Sequence, residues 1–260
     1  MTIRLSRKYL YVLAVALAAV LATVGLLTSG VASAGNGPPA PRSDRSIPNL
    51  GLVELRIEAY FGDPNKTGVP SPDSNYARQT EGITARTQHF LQAALHHNGK
   101  GKPALILDVD DTSLSTYGYE ISQGFGFTPA SNLLYLQTHT LPAVFGMTSL
   151  ANWANSHGIT VFWITGRPES QRALTADNLT AVGYAPAPDA DHLFLRPASP
   201  PAYLTCGTSC TTIQYKSLTR EHIASLGFRI LADVGDQFSD LKGGFSGRTV
   251  KMPNPMYFIP

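Results

Sequence analysis

Three carboxylates crowd the end of one apolar run in this chain. Asp108, Asp110 and Asp111 lie within four residues, directly after Leu105 to Leu107. An ionised carboxylate that continues a buried strand is costly to desolvate unless something uses its charge. An acidic turn that caps a helix would explain Asp111 or Thr112, but it would not explain Asp108. Crowded carboxylates are typical ligands of hard divalent cations, so the run predicts a metal-dependent site.

Two other apolar runs end in residues suited to phosphoryl chemistry. Ile230 to Val234 is followed by a second acidic cluster that contains Asp236 and Asp240. Val161 to Ile164 is followed by Thr165-Gly166-Arg167, which offers a hydroxyl, a backbone N–H and a guanidinium. We place this triplet at the start of a helix, where anions bind well. Alone it is a weak signal, because Thr-Gly also forms ordinary turns.

The elements that must position these residues alternate in type along the chain. Short β-rich runs alternate with helical stretches, which predicts an α/β fold with a Rossmann-like parallel sheet and helices on both faces. The predicted strands are Ala104–Val109, Ile159–Thr165, His192–Arg196, Arg229–Val234 and Thr249–Met252. The predicted helices are Pro48–Gly62 and Tyr76–His97 before the first strand, then Glu169–Val182 and Ser217–Leu226 between later strands. The carboxyl ends of parallel strands open onto a shared crevice, so the acidic clusters should meet there.

The segment between the first two strands is longer than a plain crossover requires. Residues 113–145 therefore predict a small cap insert over the site. Its aromatic side chains are Tyr117, Tyr119, Phe125, Phe127 and Tyr135. Residues 48–260 as a whole are predicted to form the catalytic domain.

The order of these motifs resembles the four-part signature of the haloacid-dehalogenase (HAD) superfamily. The signature is Asp-x-Asp-x-Thr, a strand that ends in Thr, a Lys at a helix start, and Gly-Asp-x-x-x-Asp after a strand. Within that superfamily the chain resembles the secreted acid phosphatases of subfamily IIIB, which are grouped with plant vegetative storage proteins and bacterial lipoprotein phosphatases. The stretches that carry the resemblance are Leu107–Thr112, Ile164–Arg167, Tyr215–Ser217 with Arg220, Gly235–Leu241 and Pro253–Tyr257.

The resemblance implies a phosphomonoesterase that acts through an aspartyl phosphate. Asp108 would attack phosphorus, and Asp110 would protonate the departing alkoxide and later activate water. Mg²⁺ would be held by Asp108, the backbone carbonyl of Asp110 and Asp236, and would neutralise charge around the phosphate. The implied partner is a small-molecule phosphomonoester.

The same resemblance assigns residues around the transferring phosphoryl group. Thr165, the Gly166 backbone and Lys216, which we place at a helix start, would hold its oxygens. Asp240 would orient Lys216 or the waters on the metal. Arg167 has two possible roles, a contact to phosphate or substrate and an ion pair with an acid outside the site.

Two alternatives to hydrolysis stay open. One is a phosphotransferase or phosphonatase that uses the same site, and the other is a storage or surface-binding protein that keeps the fold with little turnover. The presence of Asp108, Asp110, Lys216 and Asp236 favours catalysis. Dehalogenation is disfavoured, because the second carboxylate, Asp110, fits the phosphatase pattern.

The amino terminus has the features of a secretory signal peptide. Arg4, Arg7 and Lys8 precede an apolar run from Tyr9 to Leu27, and Val31-Ala32-Ser33-Ala34 offers a small-residue cleavage site. We expect cleavage after Ala34, a disordered leader over 35–47 and a secreted protein with no membrane contact. An uncleaved anchor is the alternative.

Charge and cysteine content fit an exported protein. Removal of the signal peptide takes the formal net charge from +2 to −1, which gives no support for binding of a nucleic-acid polymer. Cys206 and Cys210 are the only cysteines, and such a close pair in an oxidising compartment predicts a disulfide. A metal site there would need further ligands nearby.

Overall fold

The computed structural model describes residues 40–97 and 99–260 of the chain. The predicted signal peptide at 1–34 and the first part of the leader lie outside the described residues. Residues 40–47 of the leader are exposed and contain one short 3₁₀ helix, Asp44–Ser46. Within the described ranges no helix is both long enough and apolar enough to cross a membrane.

The core of the fold is a five-stranded sheet in the order β3-β2-β1-β4-β5, with every neighbouring pair parallel. The strands are β1 (Lys102–Leu107), β2 (Thr160–Pro168), β3 (Leu193–Arg196), β4 (Phe228–Gly235) and β5 (Arg248–Lys251). The predicted α/β fold is confirmed, and all five predicted strands are present with ends shifted by a few residues. β2 extends to Pro168 because this residue pairs with Arg196 of β3, so Thr165, Gly166 and Arg167 lie in the strand. Our placement of that triplet at a helix start was wrong.

Eight α-helices surround the sheet in the described part of the chain. They are α1 (Leu50–Phe61), α2 (Asn75–Leu95), α3 (Tyr117–Ser122), α4 (Pro129–Thr138), α5 (Met147–Ser156), α6 (Arg172–Ala181), α7 (Thr212–Ser225) and α8 (Phe238–Leu241). The two helices predicted before the first strand are α1 and α2. A 3₁₀ helix, Glu169–Gln171, precedes α6 and completes the helical segment predicted there.

Side chains that alternate along each strand build a separate apolar core on each face of the sheet. On one face Leu105 and Leu107 pack in a large cluster with Leu91 of α2 and Leu150 of α5. On the other face Ala104, Ile106 and Phe162 pack with Tyr215 and Ile223 of α7. Because β1 is covered on both faces, it reads as an unbroken apolar run in the sequence.

The two ends of the insert between β1 and β2 lie side by side. Ser115 N–H donates to Pro142 O at 2.8 Å, and Val144 N–H donates to Ser113 O at 3.1 Å. Leu114 forms an antiparallel bridge with Ala143. The predicted insert therefore has its two ends tied side by side, with α3 and α4 between them.

The predicted disulfide is present. Cys206 and Cys210 are bonded, with their Cα atoms 5.0 Å apart, around the short 3₁₀ helix Gly207–Ser209. The Arg196 guanidinium donates to the Cys210 carbonyl, so this loop is attached to the end of β3.

Candidate active site

Three neighbouring strands, β2, β1 and β4, bring the predicted site residues to one end of the sheet. Leu107 pairs with Trp163 of β2 and with Val234 of β4. Asp108 N–H donates to Val234 O at 2.9 Å and continues the central strand. Asp236 lies two residues beyond Val234 on the neighbouring strand end. Residues more than a hundred positions apart in sequence thus share one crevice.

Lys216 joins the two acidic motifs. Its ammonium contacts Asp108 Oδ1 and lies 2.6 Å from Asp240 Oδ1. All three side chains are buried, which makes this a desolvated ion cluster.

We had predicted that Lys216 begins a helix, but it is the fifth residue of α7. The helix begins earlier because Thr211 and Gln214 form a capping box. The backbone N–H of Gln214 donates to Thr211 Oγ1 at 3.2 Å, and the backbone N–H of Thr211 donates to Gln214 Oε1 at 3.0 Å.

Carboxylate oxygens of Asp108, Asp236 and Asp240 lie within 4.8 Å of one another. Three buried oxygen donors in that space suit a hard divalent cation. The Asp110 carboxylate is not in this group, and a contribution through its backbone carbonyl stays a prediction. Asp240 is in the group as well as beside Lys216.

Burial dominates the acid–base properties of the cluster. It raises the pKa of Asp108 well above its usual range, against the opposing charge of Lys216. It also raises the pKa of Asp236 to about 6, with a further contribution from Asp240. Burial alone would lower the pKa of Lys216, but Asp108 and Asp240 outweigh it and raise the value. Lys216 alone therefore does not balance the negative charge of the three acids, and a divalent cation would supply the remaining positive charge.

Arg167 forms a bidentate ion pair with Asp110. Arg167 Nη2 donates to Asp110 Oδ1 at 2.6 Å, and Nε donates to Oδ2 at 3.0 Å. Nη1 donates to Thr175 Oγ1 of α6 at 3.0 Å, which fixes the guanidinium from behind. Of the two roles considered for Arg167, the structure has an ion pair, but its partner is the predicted acid–base residue itself and not an acid outside the site.

Thr165 and Gly166, the other two predicted phosphate contacts, lie in β2. Thr165 is buried, and its hydroxyl accepts the N–H of Arg167 at 3.2 Å. Gly166 is exposed, and a Cβ built on it would meet no atom within 4 Å. Open space therefore adjoins the Gly166 backbone, as a site for an anion requires.

Asp236 has neighbours that the sequence analysis did not assign. Asn254 Nδ2 and Gln237 Nε2 each donate to Asp236 Oδ2 at 2.7 Å. Gln237 adjoins a predicted ligand, and Asn254 lies in the quoted Pro253–Tyr257 stretch, but neither residue type has a pattern that reveals such a contact.

Asp111 connects the first motif to the carboxyl terminus. It adopts a left-handed backbone conformation, with φ of 50°. Its buried carboxylate accepts from the Tyr257 hydroxyl at 2.8 Å, the Thr116 N–H at 3.0 Å and the Thr116 hydroxyl. Asp111 thus has a structural role in shaping the loop after β1.

Arg220 holds the loop that follows α8. It is fully buried and forms an ion pair of 3.0 Å with Asp233 of β4. It also donates to the carbonyls of Asp240, Lys242 and Gly244. Of the quoted residues Tyr215–Ser217 and Arg220, Lys216 lies at the site and Arg220 supports the loop beside it.

The chain is similar to acid phosphatases and to vegetative storage proteins. A family model described as HAD superfamily, subfamily IIIB (acid phosphatase) matches residues 71–260. Acid phosphatase 1 of Solanum lycopersicum is 35% identical over 163 residues, which are 61% of this chain and 60% of that protein. Vegetative storage protein 1 of Arabidopsis thaliana is 31% identical over 219 residues, which are 83% of this chain and 75% of that protein.

A solved structure has the same fold. The class C acid phosphatase from Bacillus anthracis aligns with a TM-score of 0.61 at 21% identity, over 80% of this chain and 86% of that one. The family match extends across the whole sheet and every residue of the acidic crevice. The chain therefore belongs to subfamily IIIB of the HAD superfamily, the acid phosphatases, which are phosphoric monoester hydrolases.

Proposed function

We propose that this protein is a secreted, Mg²⁺-dependent acid phosphatase that hydrolyses small phosphomonoesters through a phosphoryl group on Asp108. The observation that carries the proposal is the ammonium of Lys216 between Asp108 and Asp240, with Asp236 beside them. A buried nucleophile, a fixed positive charge and a set of oxygen ligands for a cation are the parts that phosphoryl transfer needs.

Two half-reactions follow from these positions. In the first, an Asp108 oxygen bonds to phosphorus while the bond from phosphorus to the ester oxygen breaks, and Asp110 gives that oxygen a proton. In the second, Asp110 takes a proton from water as the water oxygen bonds to phosphorus and the bond to Asp108 breaks. Asp108 returns to its initial state and inorganic phosphate leaves.

The remaining residues bind and orient the phosphoryl group. Lys216, the Gly166 backbone and Thr165 hold its oxygens, and Arg167 fixes the direction of the Asp110 carboxylate. A bound Mg²⁺ supplies the charge that lets a phosphate dianion approach the carboxylates. A phosphate-like oxyanion is known at this fold, since the Bacillus anthracis class C acid phosphatase has a structure with tungstate bound.

Secretion is part of the proposal. It is supported by the charged start, apolar run and small-residue site at 1–34, and by the Cys206–Cys210 disulfide, a bond typical of oxidising compartments.

Storage is the second candidate. Vegetative storage protein 1 matches 83% of this chain, so a protein of this subfamily with little turnover is a real alternative. The intact set of Asp108, Asp110, Lys216 and Asp236 favours catalysis, because loss of the nucleophile would be one route to a storage protein.

The test is release of inorganic phosphate from nucleotides, sugar phosphates and an aryl phosphate by the purified protein. We expect turnover that chelation abolishes and added Mg²⁺ restores. Asp177→Asn, an exposed change on α6, is the control and should keep full activity. Turnover that survives thorough chelation would contradict the metal assignment. No turnover on any ester with Mg²⁺ present would favour storage.

A further inference from the structure

The carboxyl-terminal segment returns to the acidic crevice after β5. Residues 252–260 form neither helix nor strand, and they run beside the second acidic motif. Met252 N–H donates to Gly235 O at 2.8 Å. Farther along, Ile259 N–H donates to Gln237 Oε1 at 3.1 Å, and Ser239 Oγ donates to Ile259 O at 3.3 Å. We call residues 252–260 the tail.

The tail contacts Asp236 through one side chain. Asp236 Oδ2 accepts from Asn254 of the tail and from Gln237, each at 2.7 Å. Asp236 Oδ1 has, among residues 40–97 and 99–260, one long contact of 3.4 Å to the Thr112 hydroxyl. One oxygen of this buried carboxylate is therefore occupied by neutral donors. The other oxygen is not occupied by either amide, and the carboxylate as a whole lies beside Asp108 and Asp240.

Two contacts fix the orientation of Asn254. Its Oδ1 accepts the N–H of Met256 at 2.8 Å, so its Nδ2 must point to Asp236. Three residues beyond Asn254, the hydroxyl of Tyr257 donates to Asp111 Oδ2 at 2.8 Å. The tail is thus attached to both acidic motifs, through Met252 to Gly235 and through Tyr257 to Asp111, and Asn254 lies between these two residues of the tail.

We propose that Asn254 is a positioning residue for the cation site, and that it holds Asp236 with one oxygen turned toward the bound divalent cation. This inference rests on the proposed function. A neutral amide suits the task, because it fixes a carboxylate without adding a positive charge that would compete with the cation. Partners of this kind behind a metal ligand typically change metal affinity by about 10–100-fold.

The test is the affinity of the purified protein for Mn²⁺, measured by the electron paramagnetic resonance signal of the free ion. Asn254→Ala should weaken binding by about 10–100-fold. Asn254→Ser should weaken it as strongly, because its short hydroxyl can still accept the Met256 N–H but does not reach Asp236. Phe258→Ala, which changes an exposed ring of the same tail, is the matched control and should bind as the unchanged protein does.

Thermal unfolding separates positioning from a general structural role. In chelator, Asn254→Ser should unfold in one transition at a somewhat lower temperature than the unchanged protein, because one hydrogen bond to Asp236 is lost. With Mn²⁺ at a fixed concentration, its melting temperature should rise less, because weaker binding stabilises less. Unchanged Mn²⁺ affinity in Asn254→Ser would overturn the inference and leave the proposed function intact. Absence of Mn²⁺ and Mg²⁺ binding by the unchanged protein would overturn both.

Discussion

Asp108 and Asp110 have different partners although only Val109 separates them. Asp108 is buried against Lys216, whereas Asp110 is part-exposed and paired with Arg167. Val109 is buried in the apolar core on one face of the sheet. Two carboxylates placed so close can contact one phosphate. Their different burial and different cationic partners give them separate tasks.

Substitution of each aspartate should therefore give a different defect. Asp108→Asn removes the nucleophile, so every substrate should lose activity together. Asp110→Asn removes the proton donor and base, a contribution of about 10²–10⁴-fold. An aryl phosphate needs little protonation of its leaving group, so this variant should still phosphorylate Asp108 and then stall. Rapid mixing should show a burst of phenol, and a burst from Asp108→Asn would refute the mechanism.

The pair between Arg167 and Asp110 makes a separate prediction. Arg167→Lys keeps the charge but loses the bidentate fork, so the Asp110 carboxylate should be less well oriented. We expect kcat to fall more for alkyl phosphates than for aryl phosphates, with KM little changed. The measurement is steady-state kinetics on esters that differ only in leaving group. A rise in KM that is equal for all esters would instead indicate a direct phosphate contact.

The sequence alone predicted most of the charged residues at the site but few of their supports. Asp108, Lys216, Asp236 and Asp240 could be found because each follows an apolar run or a known motif order. The partner of Arg167 could not, because an ion pair between strand ends depends on three-dimensional register. Asn254 was missed for the same reason.

At the scale of elements, strands were easier to predict than helices. Every predicted strand is present, since buried parallel strands read as short apolar runs between polar turns. Helix α5 was missed, although Met147, Leu150, Ala151 and Ala154 are buried at helical spacing. Helices α3 and α4 lack such a pattern, because α3 is one short helix that buries Tyr117, Tyr119 and Glu120, and α4 buries one residue, Leu136. The early start of α7 was signalled by the capping box at Thr211 and was overlooked.

Arg220 links α7, β4 and the loop after α8, so its loss should destabilise the whole fold. Arg220→Met would leave Asp233 buried without its partner, along with three carbonyls. Breaking a buried pair in this way costs about 3–5 kcal/mol. Arg78→Met is the control, because Arg78 is exposed, and it should change stability by no more than about 0.5 kcal/mol. Urea denaturation measures the stability of both variants, and equal midpoints would show that Arg220 does not stabilise the fold.

At the scale of the molecule, burial raises the pKa of several acids on different elements of the fold. Burial raises the pKa of Asp233 to about 7, with Arg220 opposing it, and that of Asp236 to about 6. Burial and the charge of Asp110 raise the pKa of Glu120 in the insert to about 7. The folded protein therefore binds protons that the unfolded chain has already released between about pH 4 and pH 7.

The sign of this linkage predicts how chelated protein responds to pH. A raised pKa in the folded state contributes stability that is present below about pH 4 and is lost as pH rises to about 7. Melting temperature in chelator should thus fall between about pH 5 and pH 7.5. Mg²⁺ should restore the part of this loss that comes from Asp236, because Asp233 and Glu120 lie outside the proposed cation site. Differential scanning calorimetry measures both effects. A melting temperature that rises with pH in chelator would show that these acids are ionised without cost.

Export makes a prediction about the whole chain. Cleavage after Ala34 should give secreted material that begins at Gly35, because the charged start, apolar run and small-residue site occur in the required order. Amino-terminal sequencing of protein from the culture medium is the measurement. Recovery of only full-length, membrane-bound chain would favour the anchor instead.

The two ends of the insert between β1 and β2 are joined to each other by adjacent backbone bonds at Ser115 and Val144. A longer or shorter insert costs little in closure entropy, since doubling a flexible loop adds only about 0.6 kcal/mol. Thr116 donates to Asp111 and Tyr117 packs in the apolar core, so an exchange that keeps these two residues should leave the crevice in place while the rest of the insert changes. A chimera with an insert from a relative should still be phosphorylated on Asp108 but prefer that relative's esters, and loss of the phosphorylation would show that insert and crevice are not independent.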